Sequence, residues 1–186
     1  MTTGQLDRVD SKVQDFSDKL NWWQVGLITV AVSFLGGLSA IMSRKKQRKL
    51  YTTELKQAPW APPSWLFSPA WTFNNFFLIN ALRNILKNNK LNNRKQLLYL
   101  QVAIWVIYFT FGLVYFKKKS PVLAAIWTKA DAGLALISMI LAAKNDKKLS
   151  LNYLPLSIWT LFASSIADYQ ALKNPDKALG TGPALS

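Results

Sequence analysis

The chain contains no cysteine and no histidine. Disulfides, thiolate nucleophiles, zinc sites and imidazole acid–base chemistry are therefore excluded. A bound haem would lack its two commonest axial ligands and would have to turn to Met or Tyr. Acid is scarce too, with 9 Asp+Glu against 23 Lys+Arg in 186 residues. That excess suggests a nucleic-acid surface only until the charges are mapped. Charge is missing altogether from Leu20 to Ser43, from Gln57 to Leu82, from Gln96 to Phe116 and from Leu149 to Ala167. Pro121 to Ala143 carries only Lys129 and Asp131. Each run approaches the roughly 20 residues that cross a bilayer as a helix. The cations fall between the runs, so they belong to loops and no nucleic-acid partner is expected. A soluble bundle would show a polar stripe at helical period, and Trp22 to Met42 and Gln96 to Phe116 show almost none.

The expected fold class is therefore all-α, a polytopic membrane protein with five transmembrane helices in one bundle. The spans are placed at about Trp22–Met42, Trp65–Leu86, Gln96–Phe116, Pro121–Ala143 and Leu149–Leu172. Short connections make consecutive helices antiparallel neighbours. Residues 1–21 form an amphipathic arm, 22–174 the membrane domain and 175–186 a flexible tail. In the arm, Leu6, Val9, Val13, Phe16 and Leu20 recur at helical spacing. Such a helix can lie in the interface or pair with a partner, and disorder is the third reading. With four Asp among its first twenty residues, the arm does not read as a secretory signal. Lys and Arg divide ten to eleven between the two sides of the bundle, so the positive-inside rule sets no orientation. In span one, Ser33/Gly37 and Gly36/Ala40 fit small-xxx-small spacing, compatible both with packing inside one chain and with a homodimer.

Residues 59–72 are the densest punctuation in the chain, with four prolines and three tryptophans in fourteen residues. Pro59, Pro62 and Pro63 fix φ and remove donors, giving a stiff, non-helical lead-in to span two. Tryptophans there either mark the membrane interface or wall a ligand pocket. Arg83, Lys129, Asp131 and Asp168 are ionisable groups inside spans, where charge is costly and functional by default. Arg83 and Asp168 lie within about a turn of span ends and can snorkel. Lys129 and Asp131 point about 200° apart on one helix, so each must face a different neighbour. Asp131 is open to a pocket role or a structural hydrogen bond. Asn74, Asn75 and Asn80 in span two are expected to bond neighbouring helices, and Asn75 could line a pocket beneath Trp71.

The run Pro62-Pro63-Ser64-Trp65-Leu66-Phe67-Ser68-Pro69-Ala70-Trp71-Thr72 resembles the signature of the translocator protein, or TspO/MBR, family of tryptophan-rich sensory proteins. Leu154-Pro155 to Trp159, Phe162 and Ala163 resembles the family's motif in its last helix, and Gln101 fits the family's Gln in the third. The resemblance covers about Trp22 to Asn174 and is that of a diverged member: Trp105 and Tyr108 align where the family commonly has Asn then Trp, and Asn75 replaces an aromatic. It implies a five-helix membrane fold, often dimeric, with a pocket roofed by the first loop. The pocket residues it implies are Trp71 and Trp159, with Trp60, Pro62, Pro63 and Trp65 at the lead-in; Asn75, Trp105, Tyr108, Asp131 and Phe162 complete the candidate set. Family members bind porphyrins and other hydrophobic ligands. Stacking between indoles suits a flat macrocycle, and the basic stretch from Lys45 to Lys56 suits its propionates.

The functional expectation is a membrane sensor or regulator that binds a tetrapyrrole or similar hydrophobic molecule. Transport of such ligands and light-dependent porphyrin breakdown are the alternatives, and a purely structural role is the fallback. No resident cofactor or metal is expected, porphyrin or haem entering only as ligand. No acid–base or nucleophilic group points to an enzyme.

Overall fold

The computed structural model describes residues 3–38 and 49–185. All its regular structure is helical apart from one isolated bridge, Asp176 with Thr181. The helices are α1 (Thr3–Lys19), α2 (Trp22–Leu38), α3 (Phe67–Lys87), α4 (Arg94–Gly112), α5 (Pro121–Ala143), the short α6 (Lys147–Leu151) and α7 (Leu154–Lys173). Residues Leu50–Glu54 and Leu113–Lys117 form π-helical turns, and Ser64–Leu66 a 3₁₀ turn before α3.

Local chemistry sets the boundaries. Asn21 and Gln24 exchange side-chain-to-backbone hydrogen bonds at 3.0 and 3.3 Å, a capping box that starts α2 and breaks it from α1. The chain bends by 107° there, so α1 lies across the bundle rather than along it. Ser120 caps α5 through its Oγ, which accepts from the Leu123 N–H at 3.1 Å, and Pro121 occupies the first turn. Asp146 caps α6 in the same way. Asn93 takes the left-handed conformation before α4, at φ 58°, which Asn tolerates better than most residues.

The interior mixes large apolar side chains with small and polar ones, and the exterior carries large apolar side chains. Leu78, Ala81, Ile85, Leu97, Ile104, Ala135, Tyr153 and Leu156 pack a common core. The closest-packed pair is α5 with α7. On α5 the buried stripe is Ala124, Ala125, Thr128, Asp131, Ala132, Ala135, Ser138 and Ala142, which lets the backbones approach. Thr128, Ser157 and Thr160 in this seam satisfy their hydroxyls on the carbonyls four residues back. Outward, Leu27, Val30, Phe34, Tyr99, Val102, Val106, Ile126, Ile137, Ile140 and Ile158 are exposed. This is the surface of a protein solvated by lipid.

Among the described residues two segments are long and apolar enough to cross a membrane, Arg94–Lys117 and Pro121–Ala143, and the bent pair Asp10–Lys19 with Trp22–Gly37 makes a third if taken as one. Five had been expected. α3 falls short because Asn74, Asn75, Asn80, Arg83 and Asn84 dilute it, and α7 because of Ser157, Thr160, Ser164, Ser165 and Asp168. Ala40 and Met42, at the expected end of the first span, lie outside the described residues.

The in-span charges resolve in different ways. Lys129 and Asp168 form a 2.6 Å ion pair between α5 and α7, both partly exposed. Arg83 donates from Nε to the Ser17 carbonyl at 3.3 Å. Asp131 is 2% exposed, and its Oδ1 has no hydrogen-bond partner. After residue 174, Asp176 is 1% exposed and the Leu185 N–H donates to the Leu172 carbonyl, while residues 177–185 are exposed.

Candidate functional site

The stiff Pro/Trp segment does form a non-helical approach to α3. Pro63 is extended, at φ −61° and ψ 145°, and its carbonyl accepts from the Leu66 N–H to start the 3₁₀ turn. The Tyr51 hydroxyl donates to the Pro62 carbonyl at 2.9 Å, pinning the loop to itself. Burial pushes that phenol up to about 12, so it remains a donor throughout the physiological range.

The same loop is clamped to the bundle by residues remote in sequence. Gln170 Nε2 donates to Gln57 Oε1 at 2.7 Å, and Tyr115 donates to Gln170 Oε1 at 3.0 Å. Asn174 binds Lys56 twice, accepting from its N–H at 2.7 Å and donating to its carbonyl at 3.0 Å. Lys119 reaches Glu54 at 2.9 Å. Trp60 is half exposed, donates from Nε1 to Ser165 Oγ at 3.0 Å and lies edge-on to Tyr169. Trp65 points outward and is 68% exposed.

Beneath this lid runs a chain of rings. Tyr51 meets Phe67 edge-on at 5.3 Å, Phe67 meets Trp159 at 5.6 Å, and Trp159 meets Phe162 at 6.1 Å. The Trp159 Nε1–H is buried and has no acceptor. An unpaired buried donor costs about 1–3 kcal/mol, and a ligand oxygen would remove that cost. A second group lies between α3 and α4. Trp71 packs on Tyr108 at 5.2 Å, and Trp105 contacts Tyr108 at 5.7 Å and stacks on Phe109 at 6.0 Å. Asn75 donates to Ser33 Oγ at 3.0 Å, and both side chains reach the Tyr108 hydroxyl. A Cβ added at Gly36 would overlap the hydroxyl and ring of Tyr108, so only glycine admits that ring against α2.

A profile of the TspO/MBR family matches residues 26–170, most of the chain. The chain belongs to the TspO/MBR family. Two tryptophan-rich TspO proteins are similar to it, that of Chlorobaculum tepidum at 27% identity over 74% of this chain and 85% of the relative. The other, from Archaeoglobus fulgidus, is 27% identical over 75% of this chain and 88% of the relative. Membership agrees with the lipid-facing surface: this TspO/MBR protein is membrane-embedded.

Most of the residues expected at the TspO/MBR site are therefore gathered, but into two groups rather than one. Trp159 and Phe162 join Phe67 under the lid, while Trp71, Asn75, Trp105 and Tyr108 form the other group. Trp71 and Trp159, expected as opposite walls, make no ring contact with each other. Asp131 is buried on α5 and belongs to neither ring run. Lys49 and Lys56 of the expected basic rim are described, and Arg44, Lys45, Lys46 and Arg48 lie outside the described residues. Tyr51, Phe67, Gln57, Gln170 and Asn174 were not anticipated. Phe67 stands in the recognised motif, so its place there was the available signal. The others bond across more than a hundred residues or from a loop without periodicity, and no local pattern marks them.

Proposed function

We propose that this TspO/MBR protein binds a flat hydrophobic ligand of tetrapyrrole type beneath the 49–63 loop and acts as a sensor or regulator in its membrane. The observation that carries the reading is the Tyr51–Phe67–Trp159–Phe162 run with the unpartnered Trp159 N–H at its centre. Ring faces supply stacking, and the indole N–H supplies a donor for one polar atom of the ligand. The lid is held mainly by side-chain hydrogen bonds, each modest, so it can open at moderate cost. Lys56 and Lys49 lie on the same loop and suit ligand carboxylates.

The five-helix arrangement supports the same reading. Contacts gather the 49–63 loop, the 113–120 turn and the 174–185 segment at one end of the bundle. They gather α1, the 88–93 turn and the 144–153 segment at the other. This alternation is what α2, α3, α4, α5 and α7 produce if each crosses the bilayer once. Of the small residues of α2, Ser33 and Gly36 pack inside one chain, while Gly37 faces open space.

The test is titration of the purified protein with protoporphyrin IX, following tryptophan fluorescence. Saturable quenching that weakens in Trp159→Phe is the expected result. Quenching that never saturates in detergent or in lipid would remove the proposal.

A further inference from the structure

A cavity of ≈ 230 Å³ lies at the end of the bundle away from the 49–63 loop, lined by residues of α1, α2, α3 and α4 and the α1–α2 turn. Its lining includes Leu20, Ile28, Val32, Leu82, Leu86 and Phe109, and the only charged residue among the lining is Arg83. It is smaller than the roughly 300–1,000 Å³ typical of sites for drug-sized ligands, so it is too small to enclose a macrocycle.

The roof is α1, which mostly precedes the cavity's other walls and lies wholly outside residues 26–170 matched by the TspO/MBR profile. It is fastened down by polar contacts along one side. Asp10 accepts from both terminal nitrogens of Arg94, at 2.8 and 3.4 Å. Asp18 pairs with Lys87 at 3.2 Å, and Gln14 donates to the Lys87 carbonyl at 2.9 Å. Lys87 and Arg94, the next two cations of this end that meet α1, are thus matched by its carboxylates. Among the described residues Arg83 is not: it spends its Nε on the Ser17 carbonyl and has no carboxylate partner. An apolar slot beside lipid, ending in a guanidinium without a counter-charge, is complementary to one molecule shape. That shape is an acyl chain carrying an anionic head.

We propose that the α1 cavity holds part of one acyl chain of an anionic membrane phospholipid, with its phosphate on Arg83. The chain replaces empty apolar volume, and the phosphate replaces the missing carboxylate. α1 closes over the lipid as an interfacial helix, with Phe16 63% exposed toward the bilayer. This site is distinct from the ring run under the 49–63 loop and does not depend on porphyrin binding.

The test uses the full chain in detergent micelles doped with phosphatidylglycerol or with phosphatidylcholine of the same acyl chains, and native mass spectrometry to count retained lipid. Phosphatidylglycerol should be retained about fivefold more strongly, the worth of one interfacial cation near a lipid head. Arg83→Gln should make the two lipids equal, and Arg83→Lys should restore much of the preference. Ile28→Trp, which fills the slot, should lower retention of both. Protoporphyrin quenching in Arg83→Gln should match that of the unmodified protein. Equal retention of the two lipids by the unmodified protein would overturn the assignment, as would a phosphatidylglycerol preference that survives Arg83→Gln.

Discussion

Trp71 and Trp159 are the two indoles that the sequence puts forward as a matched pair, and their surroundings differ in kind. Trp71 rests on Tyr108, whose hydroxyl oxygen is reached by the Asn75 and Ser33 side chains and whose ring is admitted by Gly36. That group ties α2, α3 and α4 together. Trp159 instead lies between Phe67 and Phe162, under a loop held by side-chain hydrogen bonds, with its own N–H unanswered. Aromatic density alone therefore does not identify a binding site. The group whose ring is locked against Gly36 braces the fold, and the group with the unanswered indole N–H is the one proposed to face the ligand.

The largest effect should come from the bracing group. Gly36→Ala should destabilise the protein by about 2 kcal/mol, because Tyr108 is hemmed in by Trp71, Trp105 and Phe109 and cannot swing clear. Thermal unfolding in detergent measures it, and Gly36→Ala combined with Tyr108→Leu should recover part of the loss. A Gly36→Ala protein as stable as the parent would dissolve the distinction between the two groups.

Next is the lid. Asn174→Ala removes both bonds to Lys56 and should cost about 1–2 kcal/mol locally, read as faster amide exchange at residues 49–58 with little change in global unfolding. Exchange confined instead to α3 and α4 would place the flexible part at Trp71.

The smallest effect concerns Asp176, which fixes the far end of α7 to the start of α5. Burial alone would raise its carboxyl. The hydrogen bonds it accepts from Ser120 Oγ and from the Leu179, Val122 and Ala178 N–H groups outweigh that and hold it below the usual carboxylate range. Its stabilising contribution is therefore full above the unfolded value of about 3.9 and is lost as pH falls through the lowered folded value. Acid titration of unfolding should show this loss, and Asp176→Asn should flatten it. An Asp176→Asn profile identical to the parent would show that the anchor is not used.

Much of the fold was legible. Runs with little or no charge located the five long helices of the matched region to within a few residues wherever their ends are described, because burying charge in lipid is costly enough to pattern a sequence by itself. The Pro/Trp stretch located the lead-in to α3 for an equally local reason, the fixed φ of proline. Pairings across the bundle were not legible. Lys129 and Asp168 were each read alone, yet they meet between α5 and α7, and the Gln57–Gln170–Tyr115 relay joins residues with no shared periodicity. The division of the candidate residues into two groups was hidden for the same reason. A motif records which side chains occur, and helix packing decides which of them touch.

The most direct test of the central claim is the dissociation constant for protoporphyrin IX, measured by fluorescence quenching in the parent, Trp159→Phe and Trp71→Phe, each alongside its melting temperature. The account predicts about tenfold weaker binding with little change in melting for Trp159→Phe, the size of one lost ring contact and donor. It predicts a lower melting temperature with a smaller change in affinity for Trp71→Phe. Unchanged affinity in Trp159→Phe, beside a large loss in a stably folded Trp71→Phe, would contradict it.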